Sequence, residues 1–483
     1  MNAMTTTAPP AAAVDPSTGE ALPEVGFADA AAVDAAVEAA RAAQPGWAAT
    51  PAAARGAALR AVAAAVRAHA EELAALNARE SGKLIGDARG GVEAGASTIE
   101  QYAELGPLHR GRALAGDPLA LDVMRYEPRG VVAALIPFND PVAIAAQGLA
   151  AALATGNAVV VKPSERAPRC VARLAELFAA ELPRDVLRLL QGDARAGRPL
   201  AAHPGVDVVL HTGSAETGRE IAVACARRGA HAVLELGGND PLIVDDDVDV
   251  AWAAEQAASG AFANAGQICV AVERIYVHAA IADAFTEALV ARAEALRIGP
   301  ATDPETELGP LVDERARRSV HAQVEAAVAA GATVRCGGTL PDGPGCFYPA
   351  TVLTGVREDM AVMAHETFGP VAPIRVVADF DEALALADGT PYGLAATVLT
   401  RDQEHAARAA ATLRAGTVKV NAVWGGAPGG AAHPRGISGS ALGYGPELLD
   451  ELTQVKVVHS EPAPAPRPSS GAGHGTDANR FAR

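Results

Sequence analysis

Glu235 and Cys269 are the two residues whose chemistry would matter most if the fold brought them together. They stand 34 positions apart (269 − 235). Each lies among small residues: Leu234-Glu235-Leu236-Gly237-Gly238 holds the carboxylate and Asn264-Ala265-Gly266-Gln267-Ile268-Cys269 the thiol. A cysteine thiolate attacks electrophilic carbon, and a carboxylate at short range can then activate the water that releases the product. A plainer reading exists, because a lone cysteine is most often a small buried apolar residue. The elements around the pair must decide between the two.

With 483 residues the chain is too long for one core, and two or three domains are expected. Half the residues are hydrophobic and 20% charged, as in an ordinary globular protein. The net charge of −17 argues against a nucleic-acid partner, which would call for a basic face. Five cysteines (Cys170, Cys225, Cys269, Cys336, Cys346) are odd in number and lack paired metal spacing. That pattern excludes a disulfide framework, gives no metal site and suits a reducing compartment. With no leader and no apolar run of spanning length, a cytoplasmic enzyme without membrane contact is expected.

Turn residues Asp15-Pro16-Ser17-Thr18-Gly19 mark where ordered structure begins, and two amphipathic helices follow. The second carries Leu59, Val62, Val66, Leu73 and Leu76 at helical spacing; a third spans about Val92 to Leu105. From Gly130 strands and helices alternate: Gly130–Ile136, a helix from Val142, Ala158–Lys162, a helix from Arg169, Val206–Leu210, and Ala232–Glu235. Such alternation predicts a parallel sheet with helices on both faces. Ligands bind such sheets at the carboxyl ends of the strands. Asn139, Lys162-Pro163-Ser164-Glu165 and Thr212-Gly213-Ser214 all fall at such ends. A second α/β pattern begins after Gly238, with strands at Leu242–Val244, Arg274–Val277, Thr351–Leu353 and Ala396–Leu399. Gly213-Ser214-x-x-x-Gly218 is the nearest approach to a dinucleotide fingerprint; a Gly-Ser turn opening a helix can receive a pyrophosphate.

Taken in order, Pro137-Phe138-Asn139, Lys162-Pro163-Ser164-Glu165, Thr212-Gly213-Ser214, Glu235-Leu236-Gly237-Gly238, Gly266-Gln267-Ile268-Cys269 and Glu366-Thr367-Phe368-Gly369-Pro370 resemble the aldehyde dehydrogenase superfamily. The resemblance runs from about Asp15 to His459. It implies an α/β fold: a Rossmann-like NAD-binding domain over 10–112 and 130–237, an α/β catalytic domain over 238–450, and a small β oligomerisation hairpin and arm at 113–129 and 451–460. Residues 1–9 and 461–483 are expected to be disordered tails.

The resemblance also implies roles. Cys269 would be the nucleophile, Asn139 an oxyanion donor, and Glu235 the general base that hydrolyses the thioester. Lys162, Ser164, Glu165, Gly213, Ser214, Leu236, Glu366 and Phe368 would hold NAD, with NADP possible. Glu165 would favour NAD, since a carboxylate accepts from a ribose 2′-hydroxyl and repels a 2′-phosphate. The partner would be a small aldehyde, and the assembly a homodimer or homotetramer. Where relatives taking apolar aldehydes carry aromatics, this chain has Asp140 and Gln147. With Ile268 and Val270 these are the expected substrate-pocket residues, and they suggest a small polar aldehyde. Alternatives are a semialdehyde dehydrogenase for an anionic substrate, a CoA-acylating or reductive relative, or a catalytically silent binding protein. The loop 425–440 departs from the family pattern, with Ala431–Ile437 between Gly430 and Ser438.

Overall fold

The computed structural model describes residues 13–425 and 430–463. The expected tails lie outside the described residues except for 461–463, as do positions 426–429 of the divergent loop. Contacts divide the chain into one unit comprising residues up to His109 and Pro128–Gln454, and another comprising Arg110–Glu127 and the chain from Val455.

In the first unit, helices Ala30–Ala49, Ala52–Ala68, Ala70–Ser81 and Ile85–Leu108 precede the first sheet. The second helix expected from the sequence is two helices. His69 interrupts it with φ −111° and ψ 21°, and its imidazole Nδ1 lies 2.8 Å from the Ala65 carbonyl oxygen. A side chain that competes for the carbonyl four residues back weakens the helical ladder there. The apolar stripe continues across the break, because Leu59, Val62, Val66 and Leu73 are all fully buried.

Two largely parallel sheets follow. The first has six strands in the order Gly439–Ser440, His231–Leu236, Val208–Gly213, Val131–Ile136, Ala158–Pro163, Leu187–Leu189. Val131–Ile136 and Ala158–Pro163 are buried along their whole length, which is why Val131–Ile136 and Ala158–Val161 read as unbroken apolar runs. Each buried valine in them contributes roughly 1.5–3 kcal/mol. The second sheet has seven strands: Thr333–Cys336, Thr351–Thr354, Val371–Val377, Val272–His278, Asp240–Val244, Ala395–Leu399, Thr417–Val420. The span expected as one catalytic domain, 238–450, differs at its end. Gly439–Ser440 pair antiparallel with the strand carrying Glu235, and Leu448, Leu449 and Leu452 pack into the first sheet's core. Short apolar residues near a chain end do not reveal which of two cores they join.

In the second unit, Arg112–Ala113, Leu121–Pro128 and Thr453–Ser460 form a three-stranded sheet. Lys456 pairs with Glu127 at 2.6 Å and His459 with Asp122 at 2.7 Å. Leu119, Leu121, Val455 and Val457 are exposed.

Candidate active site

In the first sheet the strand order reverses beside Val131–Ile136. The next two strands extend to one side, and Val208–Gly213 and His231–Leu236 to the other. Such a switch point opens a crevice at the carboxyl ends of the strands. A cleft of about 760 Å³ lies there. It is lined by Asn139, Lys162, Ser164, Glu165, Gly213 and Ser214 from these strand ends, and by Leu236, Cys269, Glu366 and Phe368. The structure thus brings most of the sequence-predicted residues to one cavity.

Cys269 follows a turn that few sequences adopt. After the helix Val250–Phe262 the backbone turns left-handed at Asn264 (φ 50°), Ala265 (φ 54°) and Gly266 (φ 72°). A non-glycine residue in that region costs about 1–3 kcal/mol and must be over-determined by its surroundings. The surroundings supply that. Asn264 donates to the Asn139 and Gln267 carbonyls, both at 3.3 Å, and buried Gln267 accepts from the Val312 N–H at 2.9 Å. Although Cys269 keeps some exposure, its thiol is pushed up to about 12, first by burial and then by the negative charges of Asp240, Glu235 and Glu366. The thiol is therefore protonated in the resting protein.

Glu235 lies across from Thr212 in the sheet and faces a separate side cavity of about 30 Å³, lined also by Gln147, His211 and Gly443. That space suits one or two waters. Glu235 accepts the Gly443 N–H at 3.0 Å, and burial still raises its carboxyl to about 7. Glu366 accepts the Gly238 N–H at 3.0 Å and is raised to about 8 by burial. A Cβ at Gly237 would collide with the Glu366 carboxylate, and one at Gly238 with the Cys269 carbonyl. The Gly-Gly pair after Glu235 is thereby explained.

Lys162 is buried and donates to the carbonyls of Pro163 and Gly192, both at 2.6 Å; burial lowers its proton affinity. Ser214 caps the helix Ala215–Ala226 and accepts the Thr217 N–H at 3.3 Å, so the positive end of that helix opens on the cleft. Phe368, itself left-handed (φ 52°), meets Phe138 edge to face at 6.0 Å. A volume of this size, an ammonium, hydroxyls at a helix N-terminus and carboxylates at both ends fit a dinucleotide.

The four expected substrate-pocket residues do not line this cleft. Asp140 pairs with Lys83 at 2.8 Å beside Gly91, and Gln147 turns to Gly443. Ile268 and Val270 flank Cys269, half-buried. Other residues went unnoticed in the sequence. Glu273 is buried and accepts the N–H groups of Thr367 (2.8 Å) and Phe368 (3.0 Å), fixing the loop that carries Glu366. Its signal was present: Glu273-Arg274 is a charged pair inside an otherwise apolar strand. Asp240, near the Cys269 backbone, is raised by burial, and Lys419 is lowered by burial in its field. His211, to which the sequence assigns no role, has both ring nitrogens buried without a partner among the described residues, and burial lowers it to about 4.

The sequence model of the aldehyde dehydrogenase family matches residues 4–458. The chain belongs to that family. This aldehyde dehydrogenase is 42% identical over 416 residues to the 3,6-anhydro-alpha-L-galactose dehydrogenase of Streptomyces coelicolor, covering 84% of each chain. Its fold matches the betaine aldehyde dehydrogenase of Staphylococcus aureus, solved with NAD+, at a TM-score of 0.91 and 31% identity, over 96% of this chain and 94% of the other. It matches an E. coli NADP-dependent enzyme at 0.91 and 33% identity, over 94% and 95%. The aldehyde dehydrogenase described here is NAD(P)-dependent. Among its described residues, no helix is long and apolar enough to cross a membrane.

Proposed function

We propose that the protein oxidises a small polar aldehyde to its free acid, with Cys269 as nucleophile and Glu235 as the base that hydrolyses the thioester. The observation that carries this reading is that Cys269 and Asn139 line the same cleft as Lys162, Glu165, Ser214 and Glu366. When bound, NAD or NADP supplies the hydride acceptor and a positive ring. The Cys269 thiol gives up its proton to water as its sulfur adds to the aldehyde carbon, and the oxyanion takes hydrogen bonds from the Asn139 amide and the Cys269 N–H. After hydride loss the thioester remains on Cys269. Glu235 then takes a proton from a water whose oxygen adds to the acyl carbon; the C–S bond breaks, the acid leaves, and the Cys269 sulfur takes up a proton to restore the thiol. Lys162 and Glu165 hold the adenosine ribose, Ser214 the pyrophosphate, and Glu366 with Phe368 the nicotinamide side.

Glu165 supports NAD over NADP by repelling a 2′-phosphate. A polar substrate is supported by the relatives named for an anhydrosugar and for betaine aldehyde. With Asp140 and Gln147 turned elsewhere, it no longer rests on those two side chains. The exposed apolar residues of the second unit support a homodimer or homotetramer, and five free cysteines a cytoplasmic setting. The test is formation of reduced cofactor from a panel of anhydrosugar, betaine, short aliphatic and semialdehyde substrates, with NAD and NADP in parallel. Activity should be highest with a polar aldehyde and NAD and vanish in Cys269→Ala. Turnover surviving in that variant would refute the nucleophile.

A further inference from the structure

From the helix Pro141–Ala154, Gln147 reaches into the side cavity that holds Glu235. Its Nε2 donates to the Gly443 carbonyl, and the N–H of Gly443 donates to Glu235 Oε1. A single residue thus links an uncharged amide to the carboxylate. Among the described residues, these are the hydrogen bonds that fix Gly443, which lies in the turn between Gly439–Ser440 and Leu448–Glu451. The place also demands glycine, because a Cβ would run into the Glu235 side chain. The carboxylate is therefore gripped closely by one backbone N–H, and the orientation of that N–H depends on an anchor 296 positions away in sequence.

We propose that Gln147 is a positioning residue for Glu235: by fixing Gly443 it keeps that residue's N–H on the carboxylate, and so sets the proton affinity at which Glu235 works and the place where it waits. The inference rests on Glu235 being the deacylating base. A donated N–H favours the charged form of a carboxylate, while burial favours the neutral one. Both act here, and burial is the larger. If Gly443 loses its anchor the opposing hydrogen bond weakens, and Glu235 must bind its proton more tightly.

The charged and titratable surroundings leave that effect readable. Of the residues sharing the cavity, His211 on the strand Val208–Gly213 is the other titratable group, and it is held neutral by burial at ordinary pH. From the nucleophile turn, Cys269 acts through space, and it is capped once acylated. The helix Pro141–Ala154 contributes no charge, while the helix Leu448–Glu451 brings Glu451, which accepts the Leu442 N–H at 3.2 Å beside Gly443 and pairs at 2.6 Å with His231 on the Glu235 strand; both groups are the same in the wild type and in every Gln147 variant. Gln147 is itself uncharged, so its replacement by an apolar residue alters Glu235 only through Gly443 and packing.

Deacylation can be read directly. Cys269 is acetylated with 4-nitrophenyl acetate, and decay of the adduct is followed by intact-protein mass spectrometry across the acid limb of the pH profile. In Gln147→Leu the adduct should form at the wild-type rate, while the acid limb of its decay moves to higher pH by about half a unit to one unit. Gln147→Met, nearly isosteric and lacking the donor, should do the same and guards against a packing defect. Gln147→Glu should move the limb further, by turning a donor into an acceptor and adding a like charge. Limbs of the Leu and Met variants that superimpose on the wild type would overturn the proposal. Glu235→Gln separates the two ideas: if the adduct decays normally there, the general base itself is wrong. If decay stops there but the Gln147 variants keep the wild-type limb, only the positioning role fails.

Discussion

The carboxylate of Glu273 accepts the backbone N–H of Phe368 at 3.0 Å, and so ties the strand that leaves Cys269 to the loop that carries Glu366. The neighbouring Thr367 N–H binds the same carboxylate at 2.8 Å. The nucleophile and the expected nicotinamide-side residues are thereby held in one frame, with Phe368 kept left-handed. In Glu273→Ala both amides lose their partner, at about 1–3 kcal/mol each. Urea denaturation should show that loss, and cofactor titration a weaker complex. Glu273→Gln keeps one acceptor and should fall between. Wild-type stability in the alanine variant would show that water replaces the carboxylate at no cost.

The raised carboxyl of Glu235, at about 7, fixes the sign of the pH response. The base works when deprotonated, so hydrolysis of the thioester should fall as pH drops below about 7, while formation of the first equivalent of reduced cofactor continues. Glu235→Gln should retain that first equivalent and lose turnover by roughly 10²–10⁴-fold. Stopped-flow measurement of the burst and the steady state checks both. Equal loss of both phases would move Glu235 to an earlier step.

How much of this was legible in the sequence depends on what each residue touches. Val131–Ile136 and Ala158–Val161 announce themselves because burial on both faces leaves no polar position. Lys162 and Ser214 follow because they stand where strands end, and Cys269 because small residues form the turn before it. The break at His69 did not show, since an imidazole turning to its own helix leaves the apolar spacing intact. Nor did Gly443, whose part is a backbone N–H and an absence of side chain. For Asp140 and Gln147 the sequence could not show their partners: Asp140 pairs with Lys83, and Gln147 binds Gly443 in the side cavity of Glu235.

On the helix Gln403–Thr412, His405 lies 2.6 Å from buried Asp245 and stacks on Phe380. Its hydrogen bond to Asp245 raises the imidazole above its ordinary 6.5. The proton is held more tightly in the folded state. The resulting stability is therefore fully present below about 6.5 and is lost as pH rises through the raised folded value. His405→Gln should lower stability at acidic pH by under about 1 kcal/mol, since His405 is partly exposed, and by less at alkaline pH. Paired urea midpoints on either side of that range test it. A gap that widens with pH would contradict it.

In the second unit, Leu121 and Val457 belong to a three-stranded sheet and remain 60% and 59% exposed. Apolar side chains on a sheet with free edges favour association. Val457→Lys should weaken self-association by about tenfold or more, the effect of some 1.4 kcal/mol. Light scattering over a dilution series should then show smaller species than the wild type gives. An unchanged mass at every concentration would place the interface elsewhere.

The protonated state of Cys269 has a bearing on the protein's lifetime. Oxidants and alkylating agents react with thiolates, and a thiol held at about 12 offers almost none at neutral pH. An empty molecule should thus resist peroxide and stray electrophiles chiefly because burial disfavours the Cys269 thiolate, with the neighbouring carboxyl groups adding to the effect. Durability between encounters then rests first on the desolvation of one sulfur.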